Sequence, residues 1–455
     1  MLLRSPLVVM VVVSALTLRA DAAGAAPPQV PGLPSQTADY FAYAISNLPS
    51  YFQSDGVTAL DNTPADNLLT NAGATLGRVL FYDTRLSANN TVSCSSCHHQ
   101  ANGFSDANQF SAGINGQLTT RHSMGLADVG FYQNGRMFWD ERAGSLEDQA
   151  LTPIQSPTEM GSTLPDVVSK LSQTKFYPQL FQAAFGTPDV TPDRVAKAIS
   201  QFERSMVNYN SKFDGYLKGT QTLSPAEQAG MSLFNGQARC SGCHTTTSQL
   251  IQEAVNVGLD STITDPGVDG QGRFKAPSLR NVAVRGRFMH DGRFSSLEDV
   301  VNFYNTGVQN SAFLDAGLKD PLQLNLSAEQ VSDLVAFLNT LTDNSFLTSS
   351  LFSNPFVTLP GDYNGDGVVD AADYQVWRSS YGDTTSLVAD GNGDGKVNTE
   401  DYLVWRSNLG RTWQSLGSGS GSGIGQNAVP EPAGLVLGLL SSCWLFLCRR
   451  RRRVG

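Results

Sequence analysis

Cys94-Ser95-Ser96-Cys97-His98 and Cys240-Ser241-Gly242-Cys243-His244 are one five-residue pattern written twice. A Cys-x-x-Cys-His turn on a helix puts two thiols within reach of the two vinyl groups of a haem, and the adjacent histidine turns back to ligate the iron. Two copies imply two covalently bound haem c groups, the first held by Cys94, Cys97 and His98, the second by Cys240, Cys243 and His244. Zinc or a redox disulfide is the competing reading of paired cysteines, and a histidine in the same place behind both pairs argues against it. Elsewhere the chain has only His99, His122 and His290. The sixth iron positions therefore fall to methionine, tyrosine, one of these histidines, water or nothing.

Outward from the two motifs, Pro34 to Thr342 reads as helices joined by long loops, with periodic apolar stretches at Leu164–Leu171, Val190–Phe202 and Leu297–Tyr304. Thr191-Pro192-Asp193 and Ser224-Pro225-Ala226-Glu227 each set a capping residue, a proline and an acid at a helix start. The fold expected is all-α: two cytochrome c-like haem domains, 34–210 and 211–345, with a boundary near Asn210–Gly219. Long loops suit such domains, because the haem supplies core that side chains do not.

The two ends read as sorting signals. Residues 1–22 carry Arg4, the apolar run Leu7–Val13 and small residues at Ala20-Asp21-Ala22, the layout of an export signal and too short a run to span a membrane. Residues 413–428 read as a Gly/Ser-rich linker. Residues 429–453 hold Val429-Pro430-Glu431-Pro432, the apolar stretch Ala433 to Cys448 and five arginines, Arg449 to Arg453. This tail resembles a PEP-CTERM sorting segment; the other reading is a permanent anchor, since flanking arginines can snorkel. The protein is expected to be exported, periplasmic or at the cell surface, touching membrane only through this segment. Removing both ends takes away seven basic and two acidic residues and moves the net charge from −10 to −15. That charge argues against a nucleic-acid partner and would steer a basic electron-donor protein.

Beyond Leu351 the composition changes. Asp362, Asn364, Asp366, Asp370 and Asp373 stand at positions 1, 3, 5, 9 and 12 of a calcium loop, with Gly367 at the sharp turn and the Val368 carbonyl at position 7. Asp390, Asn392, Asp394, Asn398 and Asp401 repeat it, with Gly395 and the Lys396 carbonyl. Each loop leads into Asp-Tyr-x-Val-Trp-Arg. The pair, spanning 358–412, resembles a dockerin type I duplication, a small calcium-loop helical domain with Tyr374, Trp377, Tyr402 and Trp405 expected between its halves. It implies either a cohesin-like partner or a calcium-stabilised spacer.

Between about Leu76 and Thr342 the blocks follow a family order. Leu76-Gly77-Arg78-Val79-Leu80-Phe81-Tyr82-Asp83 precedes the first motif; Phe138-Trp139-Asp140-Glu141-Arg142-Ala143, Gln149-Ala150-Leu151-Thr152-Pro153-Ile154 and Glu159-Met160-Gly161 follow it. Phe274-Lys275-Ala276-Pro277-Ser278-Leu279-Arg280-Asn281 and Met289-His290-Asp291-Gly292 follow the second. The set resembles the di-haem cytochrome c peroxidase/MauG family. The resemblance implies hydrogen peroxide as oxidant and a cytochrome c or cupredoxin as electron donor, or a substrate oxidised at the surface. It implies Glu159 as the base over the peroxidatic haem, Gln149 and Phe138 beside it, and Trp139 as a relay between the haems.

Three departures matter. No histidine stands near Ile114, where many family peroxidases carry the one that blocks the resting first haem, so an open site is expected; His122 is the nearest substitute. Tyr304 stands where the classical members ligate the second iron with methionine, and phenolate would lower its potential; Met289 is the alternative ligand. His122 also replaces the asparagine of the family's interdomain calcium site, whose other ligands would be the Arg285 and Arg287 carbonyls. Imidazole is a poor ligand for a hard cation, which argues against that calcium. The competing functions are a non-catalytic di-haem electron-transfer cytochrome and a surface-attached calcium-binding scaffold.

Overall fold

The structure is a computed structural model that describes residues 28–43, 48–54, 56–244 and 252–416. The expected export signal, most of the linker and the sorting tail lie outside the described residues. In chain order the principal helices are α1 (Asn71–Tyr82), α2 (Leu146–Gln155), α3 (Leu164–Gln173), α4 (Tyr177–Phe185), α5 (Pro192–Arg204), α6 (Pro225–Asn235), α7 (Leu297–Asn302), α8 (Ala328–Asn339), α9 (Ala371–Ser379) and α10 (Thr399–Asn408). Their starts follow from local chemistry. The side chains of Thr70, Thr191, Ser224 and Ser327 each accept a backbone N–H from the first turn, satisfying a donor that the helix leaves unpaired.

Each haem module is built on one tightly crossed helix pair, α1 on α5 in the first and α6 on α8 in the second. Gly77 makes the first crossing possible, since a Cβ there would lie 1.9 Å from the Ala198 carbonyl oxygen. Gly230 does the same in the second, 1.9 Å from the Asp333 oxygen. Around the pairs lie two apolar cores. One includes Leu76, Leu80, Ile199 and Phe181; the other includes Phe234, Leu334, Phe337 and Leu341.

A second internal repeat is legible only once the modules are compared. Residues 136–148 and 287–299 agree at seven of thirteen positions, and both make a short antiparallel bridge, Met137 with Ala143 and Phe288 with Phe294. Both run into a serine-capped helix, α2 after Ser145 and α7 after Ser296. Phe138 (φ +69°) and Met289 (φ +71°) share one left-handed position; Glu141 (φ +53°) and Gly292 (φ +65°) share another.

The all-α expectation needs amendment. Strand β1 (Gln29–Pro31) pairs antiparallel with β2 (Phe356–Thr358), Val30 opposite Val357. After the second module the chain also returns to the first, where Phe346 and Phe352 pack with Phe81, Phe104 and Phe202. The described residues form one compact unit. The haem-binding cysteines start single 3₁₀ turns, Cys94–Ser96 and Cys240–Gly242, rather than sitting on longer helices.

The two calcium loops lead into α9 and α10 and are cross-braced. Trp377 Nε1 donates to the Asn398 carbonyl and Trp405 Nε1 to the Asp370 carbonyl, both at 2.8 Å. Tyr374 packs on Trp405 and Trp377 on Tyr402, each pair with centroids 5.2 Å apart. This module shares a core with the first haem module: Trp413 meets Phe176 edge-on at 6.2 Å. The linker expected from residue 413 thus begins with an ordered turn, Trp413–Leu416, because burying an indole outweighs the freedom of the chain.

Candidate active site: two haem cavities

The two motifs make the same closing hydrogen bond. His98 N donates to the Cys94 carbonyl at 3.0 Å, and His244 N to the Cys240 carbonyl at 2.9 Å. The His98 ring is oriented by a 2.8 Å contact between Nδ1 and the Phe104 carbonyl. A carbonyl only accepts, so Nδ1 carries the proton and Nε2 keeps a lone pair for a metal. Burial holds His98 below the ordinary imidazole pKa, which keeps it in the neutral, ligating form.

A cavity of about 450 Å³ opens on this ring, lined by Cys94, Cys97 and His98 together with Phe138, Trp139, Gln149 and Glu159. A second, of about 150 Å³, is lined by His244, Met289 and Tyr304, with Trp139, His122 and Lys275 shared between the two. Thiol pair, oriented imidazole and a cavity of cofactor size fit a haem at the first site. At the second, His244, the repeated turn and the apolar lining fit one as well; residues 245–251, next in the sequence, lie outside the described residues.

Glu159 sits in the turn that closes α2, its N–H on the Ser156 carbonyl at 3.1 Å. Burial raises its carboxyl above the usual range, and Arg142 opposes that shift. Arg142 itself lies 3.7 Å over the Phe138 ring, so one cation tunes the acid and stacks on the aromatic beside it. Trp139 is pinned to both modules: its Nε1 donates to the His122 carbonyl at 2.7 Å, and its carbonyl accepts from Lys275 N at 2.8 Å.

His122 is buried with Nε2 3.0 Å from Ser105 Oγ and Nδ1 3.2 Å from the Gln109 carbonyl. Beside it the buried Arg285 guanidinium donates to the Ser278 and Arg280 carbonyls at 2.6 and 3.0 Å, its pKa pushed down to about 10 by burial. The imidazole stands where an oxygen donor would be needed and the guanidinium adds positive charge, both unfavourable to a calcium ion.

Tyr304 lies in a single π turn, Phe303–Gly307, that extends α7; such turns recur at functional sites. Both it and Met289 reach the second cavity. Reading the sequence alone misses Arg142, Lys275 and Glu203. Glu203 lines the first cavity from α5 with its carboxyl pushed up to about 8 by burial, and Lys275 is pushed down to about 8 for the same reason. The repeat of 136–148 in 287–299 was the available signal for the first of these, since Arg142 matches Arg293.

In the C-terminal loops the carboxylates shape the backbone. Asp362 accepts from the N–H groups of Gly365, Asp366 and Gly367, and Asp390 from those of Gly393, Asp394 and Gly395. Asp373 and Asp401 each accept from three further backbone N–H groups. Among the described residues no three carboxylate, imidazole or thiol side chains already converge on one point. A calcium loop draws on amide and carbonyl oxygens too, and Asn364, Asn392 and the position-7 carbonyls supply these.

Two CxxCH turns, each opening on its own cavity with one tryptophan between, define a di-haem c-type cytochrome. A family model for the di-haem cytochrome c peroxidase matches residues 71–222, and one for the dockerin type I domain matches 360–410. The methylamine utilization protein MauG of Methylorubrum extorquens is 34% identical over 289 residues, 61% of this chain and 80% of that protein. Cytochrome c551 peroxidase of Nitrosomonas europaea is 33% identical over 288 residues, 59% and 79% of the two chains. Among solved structures, a MauG-like protein associated with microbial copper homeostasis superposes with a TM-score of 0.62 at 32% identity, covering 69% of this chain and 99% of that one. The chain belongs to the di-haem cytochrome c peroxidase/MauG family. It is a peroxidase-type oxidoreductase with two covalently bound haem c groups, and its C-terminal module is a calcium-binding dockerin type I domain.

Proposed function

We propose that peroxide reacts in the first cavity without prior reduction of the second haem, and that the oxidising equivalents leave through Trp139. They reach a small electron-donor protein or an organic or protein substrate at the surface. The observation that carries this reading is one cavity lined by both His98 and the buried acid Glu159. Haem bound at Cys94, Cys97 and His98 supplies the redox chemistry that breaks the O–O bond. Glu159 takes the proton from the near peroxide oxygen and delivers it to the departing one. Gln149 and Phe138 orient the oxidant and keep water out. An open resting site is supported by Ile114, which is committed elsewhere: its N–H bonds the Glu159 carbonyl at 2.9 Å and its side chain packs on the core. His122 has both ring nitrogens engaged, by Ser105 and by the Gln109 carbonyl.

A second haem would be held by Cys240, Cys243 and His244, with Tyr304 as a further protein ligand from the same cavity. Met289 is the second reading, favoured by its place in the repeat, where it answers to Phe138 of the first cavity. Export to the periplasm or cell surface belongs to the same proposal, as do calcium ligation by the two loops and docking to a cohesin-like partner.

Magnetic resonance of the resting oxidised protein tests the central claim. A high-spin haem signal, with an absorption change on adding hydrogen peroxide, is expected. Two low-spin haems inert to peroxide would instead identify an electron-transfer cytochrome.

A further inference from the structure

The two-module repeat sets one position apart. Gly292 takes φ +65° in the second module, and in the first the matching residue is Glu141 at φ +53°. A side chain that holds this left-handed conformation is strained unless its surroundings fix it. Those surroundings are polar and enclosed. Glu141 is 5% exposed, and its carboxylate accepts from the Tyr132 phenol and from Asn134 Nδ2, the latter 3.3 Å from both oxygens. Tyr132 is wholly buried, with Lys275 Nζ 4.4 Å from its ring centroid. The same Nζ lies 3.4 Å from Met137 Sδ. Lys275 lines both haem cavities and Met137 the first, so the phenol–carboxylate pair stands against the wall between them.

We propose that Tyr132, with Glu141 as its proton acceptor, is a one-electron oxidation site that stores an oxidising equivalent from peroxide as a neutral tyrosyl radical when no electron donor is bound. The inference rests on the peroxidase reading. Reduction of hydrogen peroxide to two waters takes two electrons and two protons, and the solvent supplies both protons. One electron comes from Tyr132 and the other from the haem pair. As the Tyr132 O–H bond breaks, its electron passes to the first haem site and its proton to the Glu141 carboxylate, which becomes a carboxylic acid. When a donor returns the electron, the proton goes back. Burial and the adjacent Glu141 charge push the Tyr132 pKa up, so the phenolate does not form beforehand and electron and proton must leave together. Trp139 is the competing resting place. Its N–H faces the His122 carbonyl, which cannot take up a proton, whereas a carboxylate can.

The test uses the fully oxidised protein with both haems, mixed with hydrogen peroxide without a donor, frozen, and examined by electron paramagnetic resonance. We expect an organic radical whose hyperfine pattern narrows in protein made with ring-deuterated tyrosine. It should disappear in Tyr132→Phe and be largely lost in Glu141→Gln, which keeps a hydrogen-bond acceptor but not the base. If Tyr132→Phe does not accumulate, the isotope pattern and Glu141→Gln decide. A haem absorption change with no organic radical, or with one that narrows only with ring-deuterated tryptophan, would overturn the proposal while leaving the peroxidase intact. So would a signal that survives in Tyr132→Phe with both haems present. No absorption change at all would remove the oxidant, and the peroxidase reading with it.

Discussion

Glu159 shows how one side chain changes meaning with its surroundings. On a surface turn it would be an ordinary acid; lining the first haem cavity, with burial raising its pKa and Arg142 restraining the rise, it is poised to exchange a proton. Glu159→Gln is expected to slow the peroxide reaction by about 10²–10⁴-fold, the usual contribution of a positioned acid–base group, with both haems retained. Stopped-flow absorbance after peroxide addition checks it. The active form is the carboxylate. The wild-type rate should therefore fall as pH drops through the raised Glu159 pKa, a limb that Glu159→Gln should lack. At the second haem, Tyr304→Met exchanges a phenolate for a thioether and should raise the potential, read by spectroelectrochemical titration. An unchanged potential would move the ligand role to Met289.

Among elements, the two helix crossings carry the architecture, and each depends on one missing Cβ. Gly77→Ala would drive a methyl into the Ala198 carbonyl at 1.9 Å and the Phe202 Cβ at 2.8 Å. Overpacking of this kind costs about 1–3 kcal/mol or more, and backbone atoms cannot rotate aside. Chemical denaturation should show a lower midpoint for Gly77→Ala, and likewise for Gly230→Ala against Asp333 and Phe337. Unchanged midpoints would mean that the helices part at no cost. The calcium loops and their helices are held by paired bonds, Trp377 to Asn398 and Trp405 to Asp370, so the helix after each loop is tied to the other loop.

Across the whole molecule, the dockerin module is packed onto the peroxidase rather than tethered to it. Lys175 pairs with Asp366 and Asp370 at 2.9 and 2.7 Å, and Arg85 donates to the Gly365 carbonyl at 2.9 Å. Deleting Gly361–Gly410 would uncover Phe176 and its neighbours, so calcium removal separates the roles more cleanly. A chelator is expected to lower the melting temperature and leave peroxide turnover and haem absorption as they were. At a hundredfold excess over its dissociation constant, calcium should contribute about 2.7 kcal/mol per site. Burial, with Asp373 and Asp366 nearby, pushes the Asp362 carboxyl up to about 7. The folded, calcium-free loop thus holds a proton that the unfolded chain releases near 3.8. Its stability falls as pH rises between those values, and calcium compensates most above about 7. A calcium-induced melting shift that does not shrink below pH 7 would contradict this.

Local chemistry was enough to read the haem-binding turns, the helix caps and the two calcium loops, because each depends on residues a few positions apart whose covalent spacing sets the geometry. The family blocks likewise pointed to Glu159, Gln149, Phe138 and Trp139, which line one cavity in the fold. What needed the tertiary structure was every feature that joins distant residues. The β1–β2 pairing across more than 300 residues and the return of Phe346 and Phe352 to the first core are two. The seat of Trp413 against Phe176 and the burial of Lys275 and Glu203 beside the first cavity are others. The Tyr132–Glu141 pair is the sharpest case. Its residues lie nine apart in sequence, but their burial beside Lys275 comes only with the fold, because desolvation and close approach arise from packing rather than from spacing along the chain.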